Sequence, residues 1–251
     1  MIQKGDVAFI TGGGRGIGKA VAFALARAGV KTVVCSRTLA DVQEVADLIR
    51  KEGGEALALK CDVAVPQEVE TTFNRAVEAY GPIDLLVNNA GVGTVAPYEV
   101  GDYAIAEWDR IVNVNLRGTF LCCRAVLPSM RERRHGTIIN VVSITGRQSA
   151  PLVSPYGASK FGEVGLTQAL LAENHKYGIR VCMVNPGPTN TTIWDKKIVP
   201  LSKEVRDAMM YPEQVADVVL FMASLPDRVR IDEIVVLPNQ FPVKLWDYRV
   251  E

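Results

Sequence analysis

The strongest constraint on the fold is a glycine-rich loop near the start of the chain. The apolar run Val7–Thr11 leads into the loop Gly12–Gly18 (G-G-G-R-G-I-G), and helical spacing follows over Ile17–Ala28. In such a strand–loop–helix unit, bare backbone lets a pyrophosphate approach the free N–H groups at the start of the helix. A flexible turn is the alternative, but the position of the loop favours dinucleotide binding. The candidate binding residues are Gly12, Gly14, Arg15, Gly16, Ile17 and Gly18.

Short apolar runs alternate with helical patterns along the rest of the chain. Further strands are predicted at Thr32–Cys35, Ala56–Lys60, Ile83–Val87, Thr137–Val142, Arg180–Val184 and Glu233–Leu237. Helices are predicted at Leu39–Lys51, Pro66–Tyr80, Glu107–Met130, Ser154–Tyr177 and Pro212–Leu225. Several strands are continuous apolar runs, which is typical of a parallel sheet buried on both faces. The sequence therefore predicts an α/β fold with one domain over residues 1–251: a Rossmann-type, doubly wound, seven-stranded parallel sheet.

Composition excludes several classes of function. Lys and Arg number 28 and Asp and Glu number 28, so the formal net charge of zero argues against binding nucleic acid or a membrane surface through bulk charge. No apolar run reaches transmembrane length, and the first residues lack the pattern of a signal peptide, so we expect a cytoplasmic protein. The five cysteines show no C-x-x-C spacing and the two histidines lie far apart, so we expect reduced cysteines and no metal site.

A tyrosine and a lysine four residues apart form the candidate catalytic pair. On a helix, Tyr156 and Lys160 share one face, one turn apart. An ammonium beside a phenol favours the phenolate, so a tyrosine paired in this way can exchange protons near neutral pH. Ser143 closes the predicted strand before this helix, and its hydroxyl could meet the tyrosine on a shared substrate oxygen. The alternative is a pair with no role beyond the surface of a helix.

The end of the second strand indicates which dinucleotide binds. An NAD-binding fold usually carries an acid there, but this chain has Ser36, Arg37 and Thr38. A guanidinium group suits a 2′-phosphate, and Arg15 in the glycine loop could add a second cation. These residues favour NADP(H), while the alternative is that Arg37 is only a solvated residue at the end of a strand.

Six motifs in order resemble one family. They are T-G-G-G-R-G-I-G, N-N-A-G after the fourth strand, Asn115 in N-V-N, Ser143, Y-G-A-S-K and P-G-P-T-N-T. Together they resemble the short-chain dehydrogenase/reductase family, in its compact branch that includes 3-oxoacyl-thioester reductases. The resemblance spans Val7 to about Leu237.

The resemblance implies a role for each matching residue. Tyr156 would be the general acid for carbonyl reduction, Ser143 would polarise the carbonyl, and Lys160 would bind the nicotinamide ribose. Asn115 would help hold a water in a proton relay through that lysine; its alternative is a buried asparagine satisfied by backbone. The further cofactor-binding residues implied are Asp62, Val63, Asn89, Ala90, Gly91, Pro186, Gly187, Thr189 and Thr191.

The implied activity is hydride transfer between NADP(H) and a small-molecule carbonyl or alcohol, with 3-oxoacyl thioesters as one candidate substrate class. A non-catalytic NADP(H)-binding regulator or scaffold is the alternative. The irregular segment Thr189–Met210 would form a substrate lid, over about residues 188–211. The helices Glu107–Met130 and Ser154–Tyr177 would pair in a homodimer or homotetramer. The tail, about residues 238–251, departs from the T-G-Q…D-G-G stretch of many relatives and carries the aromatic residues Phe241, Trp246 and Tyr248.

Overall fold

The computed structural model describes residues 1–196, 198 and 200–240 of the chain. Seven strands form one fully parallel sheet in the order β3-β2-β1-β4-β5-β6-β7, which confirms the predicted doubly wound α/β fold. The strands are β1 (Val7–Thr11), β2 (Lys31–Ser36), β3 (Ala56–Lys60), β4 (Leu85–Asn88), β5 (Thr137–Val141), β6 (Arg180–Pro186) and β7 (Glu233–Val236).

Helices cover both faces of the sheet, because the central strands are apolar on both sides. The helices are α1 (Gly16–Arg27), α2 (Leu39–Lys51), α3 (Pro66–Tyr80), α4 (Ile105–Val112), α5 (Gly118–Arg133), α6 (Ser154–Asn174), α7 (Lys203–Asp207) and α8 (Pro212–Ala223). Helices α1, α2 and α8 pack on one face and α3, α5 and α6 on the other. On the second face Phe9 stacks on Phe73 with ring centroids 4.1 Å apart.

The order of the strands positions the candidate site. The chain reverses its direction of travel across the sheet between β1 and β4, so the loops after these two strands diverge and leave a crevice at the carboxyl edge. The glycine loop follows β1, the N-N-A-G segment follows β4, and Ser143 follows β5. The first turns of α6, with Tyr156 and Lys160, lie at the same edge.

Three predicted elements require correction. The helix predicted at Glu107–Met130 is two helices, α4 and α5, joined by a π turn at Asn113–Arg117. The helix predicted at Ser154–Tyr177 ends at Asn174 and continues as a tight 3₁₀ turn. The segment Thr189–Met210 contains the short helix α7, which Ser202 caps by accepting a hydrogen bond from the Val205 N–H. Residues 197, 199 and 241–251, including the aromatic tail, lie outside the described part of the chain.

Candidate active site

The glycine loop and the loop after β4 meet too closely to leave room for side chains. Gly12 has a φ of +65°, and a Cβ there would lie 2.9 Å from the Ala90 Cα. A Cβ on Gly18 would overlap the carbonyl oxygen of Gly12 and the side chain of Asn89. Bare backbone is therefore required where the two loops touch, and four predicted cofactor-binding residues, Gly12, Gly18, Asn89 and Ala90, lie together at this point.

Thr11 and Asn89 tie these loops together through hydrogen bonds to backbone. The Thr11 hydroxyl oxygen accepts from the N–H groups of Asn89 and Ala90, each at 3.0 Å. The Asn89 amide donates to the carbonyl oxygens of Thr11 at 3.0 Å and Gly12 at 3.2 Å. The sequence analysis missed Thr11, although a hydroxyl residue directly before the glycine loop was a visible signal.

The segment after β6 reaches the same loop. A Cβ on Gly16, whose φ is +53°, would lie 3.2 Å from the methyl group of Thr191. The Gly187 N–H donates to the Val236 carbonyl at 2.7 Å, and the Thr189 hydroxyl donates to the Gly187 carbonyl at 3.0 Å. The structure therefore brings Thr191 to the start of α1, while Pro186 ends β6 and Gly187 is held against β7.

The end of β2 carries the predicted cations together with an acid. Arg37 is exposed, and the Ser36 hydroxyl donates to the Thr38 carbonyl at 2.8 Å. Arg15 forms an ion pair with Asp41, in the first turn of α2. The sequence analysis missed Asp41, which compensates the charge of one of the two cations expected to face a 2′-phosphate.

Two further predicted cofactor residues follow β3. Asp62 accepts a hydrogen bond from the Ala64 N–H at 3.0 Å through one carboxylate oxygen. Val63 is buried, and a Cβ on Gly118 at the start of α5 would lie 2.7 Å from its side chain. The side chain of Val63 therefore packs directly on the backbone of α5 and holds the loop after β3 against the second face of the sheet.

Ser143 lies two residues beyond the end of β5, rather than closing the strand. Its hydroxyl oxygen accepts from the Thr145 N–H at 3.1 Å, and the side chain is nearly buried. Tyr156 and Lys160 lie on one face of α6, with the Lys160 Nζ 5.8 Å from the centroid of the Tyr156 ring. This Nζ also lies 3.4 Å from the carbonyl oxygen of Val141, at the end of β5.

Asn115 lies in the π turn and is fully buried. Its side chain accepts from the Val92 N–H at 2.8 Å and donates to the Val92 carbonyl at 3.0 Å and to Ser159 Oγ at 2.9 Å. A Cβ on Gly91 would lie 3.5 Å from Asn115 Oδ1 and 3.8 Å from Lys160 Nζ. Asn115 thus fastens the loop after β4 to α6, and its side chain is satisfied largely by backbone.

Glu163 lies beside Lys160 and was missed by the sequence analysis. Its Oε2 is 2.6 Å from Lys160 Nζ, and its Oε1 is 3.1 Å from the hydroxyl of Thr119 on α5. Glu163 and Lys160 are both buried. The spacing of three residues on one helix was a visible signal, but an ion pair at this spacing is ordinary on the exposed face of a helix.

Hydrogen bonds hold the opposite side of the crevice, which is formed by the loops after β4, β5 and β6. The Tyr103 hydroxyl donates to the carbonyl of Leu152 at 2.7 Å, and Leu152 adopts a left-handed φ of +64°. The indole N–H of Trp194 donates to the Thr189 carbonyl at 2.9 Å. The Ile198 N–H donates to the Val95 carbonyl at 3.1 Å, so the segment after β6 crosses to the loop after β4.

A sequence model of the short chain dehydrogenase family matches residues 6–200 of the chain. The chain belongs to this family. An uncharacterized oxidoreductase of Thermotoga maritima is 37% identical over 203 residues, which cover 81% of this chain and 78% of the relative. An uncharacterized oxidoreductase of Staphylococcus aureus is 31% identical over 92% of this chain and 96% of its own.

Two solved structures resemble this short-chain dehydrogenase closely. An alcohol dehydrogenase of the archaeon Thermococcus sibiricus, complexed with 5-hydroxy-NADP, has a TM-score of 0.86 at 27% identity, over 94% of this chain and 98% of its own. A metagenomic short-chain oxidoreductase in complex with NADP has a TM-score of 0.83 at 32% identity, over 95% of this chain and 99% of its own. The chain is therefore an oxidoreductase of the short-chain dehydrogenase family, as its motifs predicted.

The short-chain dehydrogenase has five cysteines, all unbridged and buried. Burial raises the pKa of Cys123 and of Cys182 to about 12, so both thiols are neutral at ordinary pH. Within residues 1–196, 198 and 200–240, no three His, Cys, Asp or Glu side chains are grouped to hold a metal ion. None of the helices in this part of the chain is long and apolar enough to span a bilayer.

Proposed function

We propose that the protein catalyses NADP(H)-dependent hydride transfer between a small carbonyl compound and the corresponding alcohol. One observation carries the proposal: Lys160, Asn115 and Gly91 meet in the crevice, beside Tyr156 and at the same edge as the glycine loop. A proton donor paired with an ammonium thus lies within the crevice where a fold of this kind binds a dinucleotide.

The residues at the crevice fit a dinucleotide. Gly12 and Gly16, which have positive φ angles, are partly exposed at the loop before α1, and the missing side chain of Gly18 lets this loop pack against Asn89. N–H groups at such a helix start favour a pyrophosphate. Asp62 has a second carboxylate oxygen for an adenine amino group, and Thr189 and Thr191 border the nicotinamide end. When bound, NADP(H) supplies or accepts the hydride.

The side chains of the chain supply the proton and the orientation. Tyr156 donates a proton to the carbonyl oxygen during reduction and accepts it during oxidation. The oxygen of Ser143 accepts from the Thr145 N–H, which leaves its O–H free to donate to the substrate oxygen. Lys160 binds the ribose. Asn115 holds the loop after β4, which lies beside Lys160.

Arg37 favours NADP(H), with Ser36 and Thr38 beside it and Arg15 near the same end of the cleft. The NADP complexes of the two similar structures support this preference. A charge-assisted hydrogen bond contributes about 1.5–3 kcal/mol, so we expect at least about tenfold selectivity over NADH. The double change Ser36→Asp with Arg37→Ile reverses it, as measured by kcat/KM for both cofactors; a wild type that used NADH equally well would contradict this assignment.

The substrate is bounded by residues 93–95, 145–153 and the lid at about residues 188–211. Ile193 contacts the Gly93 region, since a Cβ on Gly93 would lie 3.4 Å from its terminal methyl. These apolar walls favour a hydrophobic ketone or aldehyde, with 3-oxoacyl thioesters as the subclass to examine first. A single domain over residues 1–251 is part of this proposal; residues 241–251 of the tail lie outside the described part of the chain.

The chain forms a homo-oligomer through α5 and α6 in this proposal. Phe120 on α5 and Phe161 on α6 are about half exposed, and burying two such rings favours association. Light scattering at micromolar protein tests this, and a monomer mass would contradict it.

Removing one hydroxyl group tests the catalytic assignment. Tyr156→Phe keeps the ring but loses the proton donor, so we expect turnover to fall by about 10²–10⁴ while NADPH binding is retained. Turnover near that of the wild type would exclude Tyr156 as the acid. If the wild type binds NADPH but consumes none across ketones, aldehydes, quinones and acyl thioesters, the alternative of a non-catalytic NADP(H)-binding regulator or scaffold applies.

A further inference from the structure

The buried carboxylate of Glu163 has no role in the mechanism above. Its side chain is 1% exposed, and that of Lys160 is 5% exposed. Taking a carboxylate out of water is unfavourable unless it is paired and hydrogen-bonded. A carboxylate that persists in contact with the catalytic lysine therefore points to an effect on that lysine.

The two oxygens of Glu163 have different neighbours: Oε2 makes an ion-pair contact and Oε1 accepts a hydrogen bond. Oε2 lies 2.6 Å from Lys160 Nζ, one turn earlier on α6. Oε1 lies 3.1 Å from the Thr119 hydroxyl, which also lies 2.8 Å from the carbonyl oxygen of Asn115 in the π turn. The hydroxyl has one proton and donates to one of these oxygens at a time. The carboxylate thus connects α6, α5 and the π turn around the lysine.

These contacts limit what the ammonium of Lys160 can do. An ammonium has three N–H donors. One faces Glu163 and a second is within reach of the Val141 carbonyl at 3.4 Å. One donor remains for the crevice, where Gly91 and Tyr156 lie. Glu163 and the Val141 carbonyl together therefore hold the ammonium and leave one N–H for the crevice.

The charges around the pair are few. From α6, the groups facing Glu163 are Lys160 and, beyond it, Tyr156, and from α5 they are Thr119 and Cys123. From β5, the backbone oxygen of Val141 lies against Lys160 Nζ. Cys123 is neutral at ordinary pH. Lys160 therefore supplies the one cation that contacts Glu163 in the described part of the chain, and Glu163 supplies the one carboxylate that contacts Lys160.

Burial and pairing act in opposite directions on these two groups. Burial by itself lowers the pKa of Lys160, but the charge of Glu163, with a contribution from Tyr156, outweighs it and raises that pKa above its usual value. Burial raises the pKa of Glu163, and Lys160 and Thr119 oppose the rise. The contact with Glu163 thus favours the protonated form of Lys160, and the negative charge of the carboxylate offsets the positive charge of the lysine.

We propose that Glu163 is a positioning residue of the Tyr156–Lys160 pair: its carboxylate fixes the ammonium and offsets its charge, so that the pair loses its first proton at a higher pH than it would beside a neutral residue. The inference rests on the proposed function for its kinetic consequence. A nearby negative charge opposes the loss of a proton from either member of the pair, so the direction does not depend on which member loses it.

Glu163→Gln tests the charge, because glutamine keeps the size and an oxygen that accepts from Lys160. The pH at which the rate of alcohol oxidation reaches half its plateau should fall by about one to three units, the range for a charge this close. The same shift should appear without cofactor or substrate in the ultraviolet absorbance of tyrosinate. The titration of Tyr156→Phe is subtracted from that of the wild type, and the titration of the double variant Tyr156→Phe with Glu163→Gln is subtracted from that of Glu163→Gln. Each difference is the signal of Tyr156.

Two variants control this experiment. Glu173→Gln makes the same change on the same helix at an exposed position, where the carboxylate is 3.9 Å from Arg131, and should leave both midpoints unchanged. Glu163→Asp retains the charge with a shorter reach, and its midpoints should lie closer to wild type than those of Glu163→Gln. If Glu163 had a purely structural role, both Glu163 variants would have a lower melting temperature. The midpoint of Glu163→Gln would then move no further than that of Glu163→Asp.

The outcomes separate the inference from the proposed function. A lowered tyrosinate midpoint in a protein that turns over no substrate supports the inference and defeats the proposed activity. Unchanged midpoints in a folded Glu163→Gln protein overturn the inference, whatever the activity. If that variant does not fold, glutamate labelled with ¹³C at the carboxyl carbon replaces it: Lys160→Met should move one carboxyl resonance of the cofactor-free protein, and an unmoved spectrum would overturn the inference.

Discussion

The two halves of the cleft are held together in different ways. In the proposed cofactor half, formed by residues 11–18 and 88–91, Gly12 and Gly18 lie so close to the loop after β4 that neither has room for an added Cβ. In the proposed substrate half, formed by residues 93–103, 145–153 and 188–196, single hydrogen bonds hold the loops, such as the bond from the Tyr103 hydroxyl to the distant Leu152 carbonyl and the bond from the Trp194 indole to the nearby Thr189 carbonyl. The first half should therefore fail when an atom is added, whereas the second should lose orientation when a hydrogen bond is removed.

Adding one methyl group to the cofactor half should have the largest effect. In Gly18→Ala the new Cβ overlaps the Gly12 carbonyl and the Asn89 side chain. Because overpacking costs about 1–3 kcal/mol, we expect NADPH affinity to fall by about five- to 150-fold, as measured by fluorescence titration. Gly101→Ala in the substrate half has open space around its Cβ and should leave affinity and melting temperature unchanged. Equal effects of the two changes would remove the contrast between the halves.

Removing one hydroxyl group from the substrate half should have a smaller and more selective effect. Tyr103→Phe loses the 2.7 Å hydrogen bond that holds Leu152 in its left-handed conformation. A hydrogen bond of this kind contributes about 0.5–1.5 kcal/mol, so kcat/KM for the substrate should fall by about two- to tenfold with NADPH affinity retained. Tyr98→Phe is the control, because the Tyr98 ring packs edge-on against Tyr103 with ring centroids 5.6 Å apart. A loss of NADPH affinity in Tyr103→Phe would contradict the separation of the halves.

The smallest effect concerns the charge at the end of β2. Asp41→Asn frees Arg15 from its ion pair, and an exposed pair contributes about 0.2–1 kcal/mol. The preference for NADPH over NADH, as a ratio of kcat/KM values, should therefore rise by no more than about fivefold. Glu44→Gln, which alters an exposed acid on the same helix 3.6 Å from Lys19, should leave the ratio unchanged. A lower ratio in Asp41→Asn would mean that Arg15 does not face the cofactor.

Much of the cofactor half was predictable, because its structure is specified by residues that are close together in the sequence. A strand pattern, a glycine loop and a helix pattern follow one another within Val7–Ala28, and each is specified by neighbouring residues. Asp41 was missed because its pairing with Arg15 joins the glycine loop to the first turn of α2, and these are adjacent only once β1 and β2 have paired. The parallel sheet was predictable from continuous apolar strands, whose burial on both faces requires helices on each side.

The rest of the site depends on contacts between distant segments. The π turn at Asn113–Arg117 interrupts a sequence with ordinary helical spacing, and the clamp between Asn115 and Val92 becomes visible only in three dimensions. The same applies to Tyr103 and Leu152, 49 residues apart. Glu163 shows the limit most clearly: its spacing from Lys160 was visible, but the same spacing suits a solvated ion pair, and only burial distinguishes the two.

The most direct test of the central claim follows the hydride itself. NADPH deuterated at its transferable position is incubated with the protein and a panel of ketones, aldehydes and 3-oxoacyl thioesters, and the products are analysed by mass spectrometry. The account predicts one deuterium on the former carbonyl carbon for each NADPH consumed, at a rate lowered by at least about a hundredfold in Tyr156→Phe. NADPH that binds, changes its fluorescence and is recovered unconsumed across the panel would contradict it.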